Sequence, residues 1–379
     1  MKRILYIGTN DIYGGVGHIM FQICSHLPSE EYCFDFMYYE EPSEEALSLM
    51  RSFGSNFFLI PRYTRHPFKF IREIKEFYKN NEYDIIHIHA STSSLIMYAF
   101  PVWHDKRTKI VYQSHVEALE GFSSRIKHLL LKKRVTKYSD LLLAVSQAAA
   151  LFMYGKNKKN DAIVLKNGIV PKDFEFNPEQ RANARKELLL DENAFLLGHV
   201  GRFCSVKNQT FIVDVFEELQ KKCDNSKLIF VGNGEDMDKI ISLVNQKGLS
   251  EKVIFYGTTD KVSILLSAMD CFIFPSLWEG LGIVAIESQM NGLPVVASDK
   301  VPSEANVSDI FYSLSLENNS LTEWADKILS MRDYSENRHS HYEDILANGY
   351  DITAVTRYLS ERYAVLTDEN RHIDFSQSM

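Results

Sequence analysis

The sequence predicts an α/β protein of two Rossmann-like domains, each built on a parallel sheet and facing the other across a cleft. Three observations carry this. Short apolar runs alternate with longer amphipathic stretches, the pattern of a parallel sheet flanked by helices. The same plan starts again in the second half of the chain. And 379 residues with 45% hydrophobic content suit two cores better than one.

Taken in order, RILYIG (3–8) reads as a buried strand, followed by a glycine-rich turn and a helix through about Leu27. Further strands are expected at 32–39, 55–61, 84–90, 109–115 and 140–146, with a basic helix over 67–80. In the second half, AFLLGHVGRF (194–203) is a strand entering a loop, and a helix follows from about Gln209 to Lys221. Strands are then expected at 227–234, 253–257, 271–276 and 294–299, separated by helices. The stretch 166–180 reads as a linker, with one glycine, two prolines and mixed polarity. An amphipathic helix over 351–366 ends the order. The domains are therefore placed at 1–170 and 171–350, with 351–379 packing back on the first.

Net charge is −8, unevenly divided: residues 1–168 carry 22 Lys+Arg against 17 Asp+Glu, a net +5, and the remainder is net −13. A basic front half on an acidic chain suggests a face that meets something anionic. The five cysteines are scattered with no C-x-x-C pair, which fits a reducing compartment and argues against a zinc site. The first ten residues hold too short an apolar run for a signal peptide. The greasiest span, Leu141 to Tyr154, is too short to cross a bilayer.

In sheets of this kind ligands sit beyond the carboxyl ends of the strands, so chemistry is sought in those loops. Gly14, Gly15 and Gly17 after the first strand let backbone approach a ligand, and the helix that follows favours an anion. The dinucleotide fingerprint G-x-G-x-x-G fails here, because Met20 stands where its last glycine would be. In GRFCSVKNQ, Arg202 and Lys207 follow a strand end and lead into a helix, which would set two cations around a diphosphate; the alternative is that both are solvated surface residues. In PSLWEGLGIVAIESQMNGLPVVASD, Glu279 and Glu287 are two acids in a greasy segment. With a helix starting near Leu281, Glu287 falls roughly two turns down, about 10 Å along the axis. A buried acid there needs a polar partner, and a polyol ligand would serve. The alternative is that Glu287 lies on an exposed stripe. His87 and His89 share one face of a strand, but with no third ligand near they read as structural.

These segments, with GGVGH, DIIHIHA, LLLAVSQ and LKNGIV, resemble in order and spacing the retaining glycosyltransferases of family 4, with the GT-B fold. The likeness covers nearly the whole chain and is closest to the bacterial capsule and exopolysaccharide members. It implies a retaining transfer of sugar from a nucleotide-diphosphate sugar, UDP favoured, to a growing polysaccharide on a polyprenyl-diphosphate lipid. It implies that Arg202 and Lys207 bind the donor diphosphate, that Glu279 contacts the transferred sugar, and that Glu287 holds the ribose hydroxyls. Gly280, Leu281 and Gly282 would line the donor phosphates, Gly14 and Gly15 would lie under the donor phosphate or the acceptor, and His115 would stand close to the donor sugar. No metal or other cofactor is expected, and no nucleic acid. The chain is expected in the cytoplasm, on the inner face of the membrane, held to anionic lipid by the basic helices near 61–80 and 125–138. Two departures stand out: Val16 follows the paired glycines where many members carry an acid, and Lys261 stands where an acid is common. A nucleotide-sugar epimerase and a non-catalytic partner subunit of the same fold remain as alternatives.

Overall fold

The computed structural model describes residues 1–8, 15–116, 122–191, 193–332, 334 and 338–368. The chain divides into two compact units: residues 1–168 with 349–379, and residues 169–348. The first leaves and re-enters within two residues of the boundaries read from sequence.

The first unit holds a seven-stranded parallel sheet. Its strands are β1 (Lys2–Ile7), β2 (Tyr32–Tyr38), β3 (Phe57–Leu59), β4 (Ile85–Ala90), β5 (Lys109–Ser114), β6 (Leu141–Ala144) and β7 (Ile163–Val164). They lie in the order β3-β2-β1-β4-β5-β6-β7. Central strands covered on both faces must be apolar on both, and every residue of β4 and β6 is buried. The helix Ile352–Thr367 closes this unit: the Tyr363 hydroxyl lies 3.2 Å from that of Tyr6, and Tyr32 donates to the Ser360 carbonyl.

The second unit repeats the plan with six parallel strands: β8 (Phe195–Val200), β9 (Ser226–Val231), β10 (Val253–Gly257), β11 (Cys271–Phe274), β12 (Val295–Ser298) and β13 (Phe311–Leu314), in the order β10-β9-β8-β11-β12-β13. Alternate residues of β8, β9 and β11 feed apolar clusters on opposite faces. Leu197, Phe230 and Ile273 join Trp324 and Phe216 on one, and Leu196, Ile229 and Phe272 join Met269 and Ala285 on the other.

Three elements differ from the sequence reading. The expected linker ends as a helix, Pro178–Glu187, because Asn177 caps it by accepting from the backbone of Glu179 and Gln180 and Pro178 occupies its first turn. β7 and β13 were not foreseen. β7 is only two residues long, and β13, an edge strand, lacks the continuous apolar run of a buried one.

No described helix is long and apolar enough to cross a membrane. The two basic helices, Pro67–Asn80 and Phe122–Tyr138, are not uniformly surface-facing. Phe70 and Phe77 are buried, and Tyr78 donates to the Tyr98 carbonyl, while Phe68 is 88% exposed. On the second helix Leu129 and Leu130 are each 68% exposed beside Lys133 and Arg134. Lys132, read from sequence as one of its surface cations, instead turns inward onto the Phe152 carbonyl and ring, and burial lowers its pKa.

Candidate active site

In the second unit, β8 ends at Val200 and the chain passes through Gly201 and Arg202 into a single turn, Ser205–Lys207. Asn208 then adopts a left-handed conformation (φ 56°) and starts the helix Gln209–Gln220. The loop after β9 crosses this turn so closely that a Cβ on Gly234 would stand 2.2 Å from the Phe203 carbonyl oxygen. Phe203 N donates to the Asn233 carbonyl and Asp236 N to that of Phe203. The loop carrying Arg202 and Lys207 is therefore pinned by backbone.

Lys207 turns back onto the neighbouring loop. Its Nζ lies 2.5 Å from Glu279 Oε1, with 19% and 11% of the two side chains exposed, and 5.0 Å from the centre of the Phe274 ring. Leu277 N donates to the Val206 carbonyl, and Asn208 Nδ2 to that of Pro275, tying the two loops together. Arg202 is more open: it pairs with Glu235 at 3.0 Å while its side chain stays 71% exposed.

Gly282 makes the turn into the next helix, Ile283–Met290, at φ +83°, a conformation that strains any residue with a Cβ. A Cβ there would also meet the Phe274 ring at 2.7 Å. Leu281 is buried and anchors the loop, so what it and its glycine neighbours Gly280 and Gly282 offer a ligand is backbone. The helix begins two residues later than expected, so Glu287 stands one turn from its start, about 6 Å along the axis rather than 10. Nor does it lie on an exposed stripe: it is 6% exposed, with no side-chain partner among the described residues, and burial pushes its pKa up to about 7.

Behind the turn, His199 was missed by sequence reasoning. It donates through Nδ1 to the Ile273 carbonyl (3.0 Å), while its buried Nε2 has no described partner and lies 3.2 Å from where a Gly201 Cβ would be. Burial and the nearby Lys207 charge lower its pKa to about 4. A polar residue in the run FLLGHV was the only signal available.

His115 belongs to the first unit, just beyond β5. Its Nε2 lies 3.1 Å from His89 Nδ1, and His87 Nδ1 lies 2.6 Å from the Tyr363 hydroxyl. The His87 and His89 rings stack at 4.1 Å. Burial holds His87 and His115 at about pKa 3, so all three are neutral near pH 7. No group of three or more His, Cys, Asp or Glu set to hold a metal occurs among the described residues. Gly14 lies outside the described residues; Gly15 begins the helix Gly15–His26.

Arg202, Lys207, Glu279 and the buried Glu287 thus lie on the two loop–helix junctions that follow β8 and β11. These strands flank the point where the strand order of the sheet reverses, the usual place for a phosphate-bearing ligand. Residues 180–345 match the glycosyl transferases group 1 family, and residues 13–172 match glycosyltransferase family 4. The chain is 28% identical to the capsular polysaccharide biosynthesis glycosyltransferase CapH of Staphylococcus aureus, over 78% of this chain and 80% of that one. It is 23% identical to the UDP-Gal:alpha-D-GlcNAc-diphosphoundecaprenol alpha-1,3-galactosyltransferase of Escherichia coli, over 87% and 88%. Its fold matches that of HepE from Anabaena, solved with UDP and glucose, at a TM-score of 0.79 and 17% identity over 96% of this chain and all of that one. The fold is GT-B. The chain belongs to the group 1, family 4 glycosyltransferases, and it is a glycosyltransferase.

Proposed function

We propose that this transferase moves a sugar, with retention of configuration, from a UDP-sugar to a growing surface polysaccharide carried on a polyprenyl diphosphate. The observation that carries the donor half is the pairing of Lys207 with Glu279 at the helix mouth, one turn from a buried Glu287 that has no partner among the described residues. Arg202 and Lys207 take the diphosphate, together with the backbone N–H groups of 280–283 and the positive end of the helix they open. As phosphate oxygens reach Lys207, Glu279 is released to the hydroxyls of the sugar. Glu287 accepts from the ribose hydroxyls. Hydrogen bonds to its charged form favour ionisation, so the nucleotide supplies the partner that the apo protein lacks.

In the reaction the bond between the anomeric carbon and the diphosphate oxygen breaks as an acceptor hydroxyl oxygen bonds to that carbon from the same face. The departing phosphate oxygen takes the hydroxyl proton. The two cations and the helix end stabilise the charge on the leaving diphosphate, so the step calls for neither a protein nucleophile nor a divalent metal. Neutral His115 is assigned to the sugar as an uncharged hydrogen-bond group.

The nature of the acceptor is supported by the names of the capsular and lipid-linked relatives. Residues 1–170 and the closing helix would take the acceptor, and residues 171–350 the donor. Leu129, Leu130 and Phe68, among basic side chains, suit an anionic bilayer surface and support docking of the enzyme on the inner face of the membrane. The test is thermal stabilisation by UDP, GDP and ADP in turn, because a ligand that binds only the folded state raises its melting temperature. UDP should give the largest shift. No shift with any of them would sink the transferase reading, and a larger shift with GDP or ADP would overturn the choice of base.

A further inference from the structure

We infer that the crevice where the strand order of the first sheet reverses, between β1 and β4, seats an anionic sugar: a pyranose carrying a phosphate, gripped by Arg62 and Lys127. This rests on the transferase reading and assigns the acceptor half of it.

The chain winds outward in opposite directions from β1 and β4, so a crevice opens between the two strands beyond their carboxyl ends. The space left holds about 280 Å³ and is walled by residues of the first unit alone. That is at the small end of ligand sites, which run from roughly 300 Å³ upward, and suits one sugar ring with its phosphate rather than a nucleotide sugar. Tyr39, Tyr63 and Tyr98 supply aromatic surface, and Ser91, Thr92 and Ser94 supply hydroxyls. A bare phosphate has no use for the first set, and an acyl chain none for the second.

The charge of the described walls is one-sided. Arg62 and Lys127 line the crevice, and no acid does so among the described residues. The Arg62 guanidinium is held in place by Glu40 at one nitrogen and lies over the Tyr39 ring at 4.4 Å. Its Nε is buried with no described partner, an unmet donor in a fork shaped for phosphate or carboxylate oxygens. Val16, in the first turn of the helix Gly15–His26, presents an apolar wall where an acid would repel an anion. His89 forms part of the floor and is neutral, so it adds hydrogen-bonding capacity without charge.

The experiment is calorimetric titration of the full-length protein, saturated with UDP so that the donor site is filled. The probes are glucose, galactose and N-acetylglucosamine 1-phosphates, their methyl glycosides, and inorganic phosphate. At least one sugar phosphate should bind, and at least tenfold more tightly than its methyl glycoside or inorganic phosphate. Arg62→Gln and Lys127→Gln should each weaken it at least tenfold while leaving UDP binding unchanged. A polyprenyl-diphosphate sugar in neutral vesicles that competes with the soluble probe supports the site with a lipid-borne source. Failure of that competitor, with the soluble probe still bound through Arg62 and Lys127, supports it with a soluble source. Retained UDP binding with no sugar phosphate bound, with equal affinity for the methyl glycoside, or with no effect of either variant, overturns the inference and leaves the donor reading intact. Loss of UDP binding by the wild type strikes the transferase reading instead.

Discussion

Replacing Glu287 by Gln should make the protein's pH dependence of stability change in a predictable way. The carboxyl of Glu287 is buried with no partner among the described residues, and burial raises its pKa from an ordinary 4.5 to about 7. Between those values the folded state holds a proton that the unfolded state has lost, so wild-type stability falls as pH rises through this window and levels off above it. At 1.36 kcal/mol per pH unit the full shift is worth about 3 kcal/mol, and most of it is lost between pH 5 and pH 8. Gln carries no such term. It brings a fixed cost for burying an amide whose donors lack partners, roughly 1–3 kcal/mol, and that cost does not vary with pH. The stability of Glu287→Gln relative to wild type should therefore improve by about 2–3 kcal/mol from pH 5 to pH 8. Melting temperatures at both values read this out: a unit of this size shifts by roughly 2–4 °C per kcal/mol. The variant should gain about 5–10 °C on the wild type across the interval. A difference that is the same at both pH values would refute the claim that Glu287 is a desolvated, unpartnered acid.

Three further outcomes follow from the same geometry. Arg202→Ala should raise donor KM or lower kcat at least about tenfold, about 1.4 kcal/mol, with melting temperature nearly unchanged, because its bond to Glu235 is solvent-exposed and worth little; normal kinetics would remove Arg202 from the diphosphate clamp. Activity should survive excess EDTA, and loss with rescue by manganese or magnesium would show that the two cations and the helix end do not suffice. Co-sedimentation with anionic liposomes should fall with salt and fall again on replacing Leu129, Leu130, Lys133 and Arg134 together by Ser, and a protein that stays in the supernatant at low salt would contradict membrane docking.

Much of this was legible in the sequence, for definable reasons. Parallel strands buried on both faces leave continuous apolar runs, so β1, β4, β8, β11 and β12 were all visible. The short edge strands β7 and β13 were not, since an edge carries less of that signal. Glu279 and Glu287 stood out because acids are expensive in greasy surroundings, and the structure places Glu287 deep enough to make that cost explicit. Their spacing was read too long because Gly282, in its left-handed turn, delays the helix start. What the sequence did not reveal were contacts between distant segments. Lys207 and Glu279 are paired across 72 positions, Lys132 leaves the surface for Phe152, and His89 spends its Nδ1 on His115. Each depends on which strand lies beside which, and residue periodicity carries no such information.

The central claim is that a nucleoside diphosphate is held on the two loop–helix junctions of residues 169–348. Hydrogen–deuterium exchange with and without UDP, in EDTA, tests it most directly, since the proposed contacts include the backbone N–H groups themselves. The account predicts slowed exchange in peptides spanning 201–208 and 280–287. UDP bound at saturation with exchange unchanged in both segments would contradict it.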